Sequence, residues 1–376
     1  MKITCLQENL KKAINIVERI IGRNLTLPVL NNILLSAEKN KLRISSTNLE
    51  IGINCWIPGK TDKEGSITVP SKLVSGLINN LSNKKIELTA KSNNKLMIKS
   101  EDFIANINGI SSDEFPIIPK INDKPLINIK GNLLKNSLLQ VVEMASISES
   151  RPEISGVYVN FDSLTGESDK NCVNLVATDS FRLAEKNIFF ENEAEIIKNQ
   201  QIIIPQRTAQ ELARILNETN SDVKIILSGN QILFDLDDIQ IISRLIEGQY
   251  PDYKQIIPGN FKTRAIVNRD ELIKSIKVAS LFSSKINDVK FNIDPKKSLI
   301  NISAKDSDIG ENKSQIDSKI EGNGLEIIFN YRYLLDGLNN ILSDKVILEF
   351  NNSSSSAVIK PVGDASYVYV IMPIKI

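Results

Sequence analysis

The feature that most constrains this chain is a pattern written three times along it. Ile67-Thr68-Val69-Pro70 reads as a short strand ending in proline, and Ser71 to Leu81 follows with Leu73, Val74, Leu77, Ile78 and Leu81 at helical spacing. Alternating runs come next, near Lys85–Ala90 and Lys95–Lys99, and the segment closes on Glu114-Phe115-Pro116. The same order returns from Ile202-Ile203-Ile204-Pro205, through a stripe of Ala209, Leu212, Ala213 and Leu216, to Gln249-Tyr250-Pro251-Asp252-Tyr253. The interval from Pro70 to Pro116 equals that from Pro205 to Pro251. A third copy runs from Ile327-Ile328-Phe329-Asn330, through Leu334, Leu335, Leu338 and Leu342, to the apolar run Tyr367–Ile371 and Met372-Pro373. Such a repeat specifies one supersecondary unit used three times.

Each copy also opens with a strand leading into a helix. Leu10, Ala13, Ile14, Val17, Ile20 and Ile21 make the first stripe, with Gly22 placed as the helix stop. Leu133, Leu134, Ser137, Leu138, Val141 and Val142 make the second. The third has Asp270 as N-cap ahead of Leu272, Ile273, Ile276 and Ala279. The expected fold is α+β: three similar domains, each with two helices packed on antiparallel sheets. Pro/Asn/Gly-rich joints near Pro119–Pro125 and Pro258–Lys262 give boundaries of 1–121, 126–257 and 258–376. Ser163–Asn171 reads as a mobile surface insertion and Ser353–Ser356 as a hairpin turn.

Composition bears on function mainly through what is missing. The chain has no histidine, which excludes a Ser-His-Asp triad, a Cys-His pair and a His-ligated metal, and leaves only carboxylate or lysine acid–base chemistry. Cys5, Cys55 and Cys172 are widely spaced and read as small buried apolar residues of a reducing compartment. No catalytic residue, metal site or cofactor is expected, and no Gly-rich phosphate loop is present. With neither an N-terminal leader pattern nor a bilayer-length apolar run, the protein is expected to be soluble and cytoplasmic.

Net charge is only +1, so any grip on nucleic acid must come from local placement or from topology. The expected helices, 9–21, 71–82, 132–145, 206–217, 270–282 and 331–342, hold ten basic residues against six acidic ones. Helices sharing one side would make it modestly positive. An arc of like domains with open sheet edges could then close into a ring that holds DNA by enclosure. Two other classes compete: an enzyme built around Thr178, Asp179 and Arg182, and a β-rich repeat scaffold or binding protein without DNA. Asp179, between a strand and a turn, is placed to cap local backbone rather than to react.

The repeat, together with Ala177-Thr178-Asp179-Ser180-Phe181-Arg182-Leu183-Ala184, resembles the bacterial DNA polymerase III beta subunit family, the sliding clamps. Supporting stretches are Thr26–Ile33, Phe115-Pro116, Ser150-Arg151-Pro152, Tyr250-Pro251-Asp252-Tyr253 and Met372–Ile376, in order along the whole chain. The resemblance implies the DNA-clamp fold, a homodimer closed head-to-tail into a ring with helices inside, and a non-catalytic processivity subunit of the polymerase III holoenzyme. It implies as partners duplex DNA, the DNA polymerase III alpha subunit, the clamp loader, and repair polymerases, ligase and mismatch-repair proteins. Those proteins would insert a short peptide containing Gln and Leu or Phe into one apolar pocket.

Carried over by motif, that pocket comprises Ile154, Thr178, Ser180, Phe181, Arg182, Leu183, Pro251, Ile256, Ile286, Asn330, Tyr333, Val370, Met372 and Pro373. Arg23, Asn24, Lys72, Arg151 and Arg207 are the DNA-binding candidates. The subunit interface would use Leu77, Leu81 and Ile107 against Ser280 and Leu281. Three departures shift the expected peptide specificity. Ser180-Phe181 stands where the family often has Gly-His, Lys254-Gln255 follows Asp252-Tyr253, and Ile374-Lys375-Ile376 replaces a Met-Arg-Leu ending.

Overall fold

The computed structural model describes residues 1–22, 26–91, 93–101, 103–148, 150–164, 171–190, 200–219 and 221–375. Among them are six α-helices: α1 (Gln7–Val17), α2 (Ser71–Asn80), α3 (Gly131–Val141), α4 (Gln206–Glu218), α5 (Arg269–Ser280) and α6 (Tyr331–Asn339). Each follows a short strand, as the repeat predicts: Gly65–Pro70 leads into α2, Gln201–Pro205 into α4 and Leu325–Asn330 into α6. The fold is α+β, with three domains of helices on antiparallel sheets.

Helix ends differ from the reading of sequence. The first helix ends at Val17 and tightens into a 3-10 turn, Glu18–Ile20, in which the Ile21 N–H donates to Glu18 O at 3.0 Å. That turn satisfies the terminal carbonyls, so Gly22 is not the stop and does not adopt a left-handed conformation. In α5 the cap is Asn268, not Asp270: its Oδ1 accepts the Glu271 N–H at 3.0 Å. Asn268, paired with Lys345, is the last residue of the strand, so the helix starts ahead of Asp270. Asp270 and Glu271 instead occupy the first turn, where negative charge suits the helix dipole. Leu342 lies beyond the end of α6 and is exposed. Leu73 is also exposed, because it is turned about 100° from the buried line of Val74 and Ile78.

Contact density divides the chain into two compact units. The first comprises residues 1–132 and 211–245, so the second repeat contributes to both. It contains a five-stranded and an eight-stranded sheet. In the latter, Ile51–Pro58 pairs antiparallel with Ile239–Arg244, joining the first repeat to the second half of the second. α1 packs on Ile51–Pro58 and on α2 with Leu10, Ala13, Ile14 and Val17 buried. Burying a Leu, Ile or Val contributes about 1.5–3 kcal/mol. The stripe therefore outweighs the absent side-chain N-cap of α1, a loss of about 1 kcal/mol. Cys5 and Cys55 are buried, and desolvation pushes both thiols up to about 12, so neither is a nucleophile at neutral pH. Cys172 is buried too.

The second unit, residues 133–210 and 246–376, is built on one twelve-stranded antiparallel sheet. Tyr367–Ile371 pairs with Arg182–Lys186 on one side and with Ala357–Ile359 on the other. α6 lies directly on this strand. A Cβ on Gly337 would sit 2.5 Å from the Tyr369 ring, so only glycine allows the approach. Tyr369 donates its hydroxyl to Tyr333 O at 2.7 Å, and burial pushes that hydroxyl pKa up. Ser353–Ser356 is the turn of a hairpin, as expected; Asn352 Oδ1 accepts the N–H groups of Ser354 and Ser355. The expected insertion at Ser163–Asn171 is flanked by strands to Leu164 and from Asn171, and residues 165–170 lie outside the described residues. Among the described residues no helix is long and apolar enough to cross a membrane.

Candidate peptide-docking site

The turn after the strand Asn171–Thr178 is set by its own side chains. Thr178 Oγ1 donates to Arg182 O at 2.7 Å and accepts the Ser180 N–H at 3.1 Å. Asp179 Oδ1 accepts the N–H groups of Phe181 and Arg182, each at 3.0 Å, so this carboxylate does cap backbone. Together these bonds hold Ser180 at φ 79°, a left-handed conformation that costs a side chain about 1–2 kcal/mol and suits glycine better.

Arg182 projects from this turn into a network. Its Nε donates to Asp179 Oδ2 at 2.9 Å, Nη1 bonds Asp336 on α6, and Nη2 donates to Glu143 O at 3.1 Å. The guanidinium also lies 4.6 Å from the Tyr333 ring centroid. Burial opposes its charge, but Tyr369, Asp336 and Asp179 more than offset this and hold its pKa above the ordinary arginine value. The cation is thus committed to positioning rather than proton transfer. Above it, Phe181 stacks on Tyr333 with centroids 6.3 Å apart, and 58% of Phe181 is exposed. The Met372 N–H donates to Phe181 O at 2.8 Å, which draws the C-terminal segment to the same rim.

Beneath the rim is an apolar floor. Ile154, Leu183 and Val370 share one buried cluster with Tyr250, Tyr253 and Val358. Tyr158 stacks on Tyr250 at 4.7 Å, and Tyr253 donates its hydroxyl to Asn174 Oδ1 at 3.0 Å and to Glu185 Oε1 at 3.1 Å. Desolvation, with Glu185 beside it, pushes the Tyr253 hydroxyl pKa up. Pro251, Ser180 and Pro373 flank this assembly in sequence, while Ile256 and Ile286 are exposed apolar residues of the same unit. Asn330 serves α6 as its N-cap, accepting the Arg332 N–H at 2.9 Å. Asp336 and Glu143 escaped the sequence reading, because nothing local links them to Arg182.

The DNA-binding candidates are scattered. Arg23 and Asn24 lie outside the described residues. Lys72 is exposed in the first turn of α2 and Arg207 in that of α4. Arg151 is engaged beside the Thr178–Arg182 turn: Nη1 donates to Ser180 Oγ at 2.9 Å and Nε to Glu153 Oε1 at 3.2 Å. The observed α-helices hold ten basic and six acidic residues, and Lys12, Lys72, Lys274 and Lys277 are exposed with no ion pair among the described residues. Of the interface candidates, Ile107 is buried, Leu77 and Leu81 are half-buried, Ser280 donates to Lys277 O at 2.8 Å, and Leu281 is exposed.

Comparison with known proteins assigns this architecture. Family models for the N-terminal, central and C-terminal domains of the DNA polymerase III beta subunit match residues 1–119, 128–252 and 254–375. The beta sliding clamps of Staphylococcus epidermidis and Staphylococcus aureus are each 29% identical over 384 residues, covering 100% of this chain and 99% of theirs. The crystal structure of the Bacillus subtilis sliding clamp superposes with a TM-score of 0.93 at 28% identity, covering 100% of this chain and 99% of that one. The Bartonella birtlesii clamp bound to griselimycin does so with a TM-score of 0.92 at 27% identity, covering 100% of both chains.

The fold and these relatives define the class, that of non-catalytic clamps associated with replication polymerases. The chain belongs to the DNA polymerase III beta subunit family, the bacterial DNA sliding clamps. Its general partners are DNA and a polymerase, and neither the enzyme reading nor that of a scaffold without DNA is retained.

Proposed function

We propose that two copies of this chain close into a ring around duplex DNA and tether client proteins through the cleft at Thr178–Leu183. The observation that carries this reading is the Phe181–Tyr333–Met372 rim over a buried floor, held in place by the Arg182 network. An apolar cleft with a few oriented polar groups captures peptide anchors. Ile154, Leu183 and Val370 would form its floor. Thr178, Ser180, Phe181, Arg182, Pro251, Ile256, Ile286, Asn330, Tyr333, Met372 and Pro373 would shape its walls and approaches. The clients would be the DNA polymerase III alpha subunit, the clamp loader, repair polymerases, ligase and mismatch-repair proteins, in the cytoplasm. Griselimycin, which the Bartonella birtlesii clamp binds, would be a competitor to try against peptide binding at this cleft.

One feature favours ring closure. Among the described residues the strand Phe103–Asn108 ends its sheet with one edge unpaired, and edges of this kind invite pairing with another subunit. Ile107 on that strand, with Leu77 and Leu81, would meet Ser280 and Leu281 of a second copy across the joint. For DNA, Lys72 and Arg207 at helix starts, Arg151, and Arg23 or Asn24 would contact phosphates without reading sequence. Domains of 1–121, 126–257 and 258–376 complete the proposal.

Retention on nicked plasmid, after loading with a clamp loader and ATP, tests it. Protein that stays on circles and runs off linear DNA encloses the duplex. Equal loss from both, together with a strict monomer by light scattering, rejects the ring.

A further inference from the structure

The docking turn has a twin in the first unit. Thr47 Oγ1 donates to Ile51 O at 3.0 Å and accepts the Leu49 N–H at 3.0 Å. Asn48 Oδ1 accepts the N–H groups of Glu50 at 3.0 Å and Ile51 at 2.7 Å. Leu49 is left-handed at φ 76°, matching Ser180 at 79°. The Arg244 N–H donates to Glu50 O at 3.0 Å, as the Met372 N–H does to Phe181 O. The segment after Phe115-Pro116 then runs past this turn, as the segment after Tyr250-Pro251 follows the other.

We propose that this turn walls a second docking groove, one for an extended peptide carrying a glutamine, an aliphatic anchor and a carboxylate. The proposal rests on reading the Thr178–Leu183 cleft as a peptide site. A groove of about 270 Å³ lies here, among Leu49, Glu50, Gly52, Ile117, Ile118 and Arg244. Its floor is built: Ile118 packs on the buried Ile226, Leu233 and Ile242, and its side chain reaches to 2.9 Å of where a Gly52 Cβ would stand. Its apolar wall is bare, with Leu49 48% and Ile117 93% exposed. A single anchor side chain fits a groove of this size.

The polar groups choose the occupant. Neither the Arg244 guanidinium nor the Glu50 carboxylate has a hydrogen-bond or ion-pair partner among the described residues, and both line the groove. Arg244 calls for a carboxylate, and Glu50 for an amide donor that carries no negative charge of its own. A segment offering glutamine, leucine and glutamate in succession answers all three walls. Among the described residues the site has neither the guanidinium network nor the aromatic lid of its twin, so weaker binding is expected.

The test is a titration of the full chain, labelled at isoleucine Cδ1 methyls, with the peptide Gln-Leu-Glu-Leu-Phe, followed by NMR. Ile117 and Ile118 report on the first-unit groove, Ile256 and Ile286 on the second-unit cleft. Saturable shifts of Ile117 and Ile118, weakened about tenfold by Arg244→Glu with the second-unit titration unchanged, support the proposal. Ile117→Asp, at an exposed position, should abolish the same titration through the apolar wall. Movement at Ile256 and Ile286 alone overturns the second groove. Movement at Ile117 and Ile118 alone sustains it and removes the reading of the cleft. Stillness at both sets, or indifference to Arg244→Glu, overturns the proposal.

Discussion

At Thr178–Leu183 and at Thr47–Gly52 the chain bends identically, by hydroxyl and carboxyl or amide side chains that hold a left-handed residue in place. After that residue the two turns part. The second unit sets Phe181 and Arg182 there, and the cation ties the turn to α6 and to the α3 end of the unit. The first unit sets Glu50 and Ile51, and Ile51 is buried. The backbone cradle belongs to the repeat, while the chemistry of what it can hold rests on two or three side chains. One repeat can therefore reuse the same backbone turn and furnish it differently in each unit.

Ile51→Ala should have the largest effect on this comparison, destabilising the first unit by about 3 kcal/mol in denaturant unfolding. Arg182→Ala should cost about 2 kcal/mol, since Asp179 loses a buried partner while Asp336, 45% exposed, recovers water. The loss at Arg182 should shrink in high salt and the loss at Ile51 should not. Equal salt responses would mean that Arg182 acts chiefly by packing. Next come the caps: Asn48→Ala should lose about 1 kcal/mol, and Asp179→Ala more than that, because it also unpairs Arg182. Identical losses would break the claimed difference between the turns. Smallest is relief of strain, where Ser180→Gly and Leu49→Gly should each raise the unfolding free energy by under about 1 kcal/mol. A fall at either position would show that the left-handed residue contributes more by its side chain than it loses by its conformation.

Most of the frame was legible because β-branched runs ending in proline, followed by helical stripes, are strong local signals. Ile67–Pro70 and Ile202–Pro205 are strands that lead into helices. Details set by partners distant in sequence were not legible. Asn268, whose ladder pairing with Lys345 makes it the last strand residue, caps α5; Asp270 two residues on is as good a cap by type, so no local preference separates the two. Asp179 was recognisable as a backbone cap from its place in a turn. The left-handed conformations of Ser180 and Leu49 were not, since neither is glycine or asparagine. The candidate cleft came from a motif, but its anchoring to Asp336 and Glu143 appears only once α6 and the end of α3 are folded against the sheet.

The ladder between Arg182–Lys186 and Tyr367–Ile371 also sets a schedule. On the ribosome, the strand carrying Arg182 emerges long before its partner and must wait as an open edge until residue 371 is free. The candidate cleft cannot exist in the interval, because Met372 and α6 arrive with that same late stretch. A nascent chain would therefore be unable to capture client peptides prematurely. Its exposed edge in that interval is where chaperone binding, or misassembly between neighbouring nascent chains, should be sought.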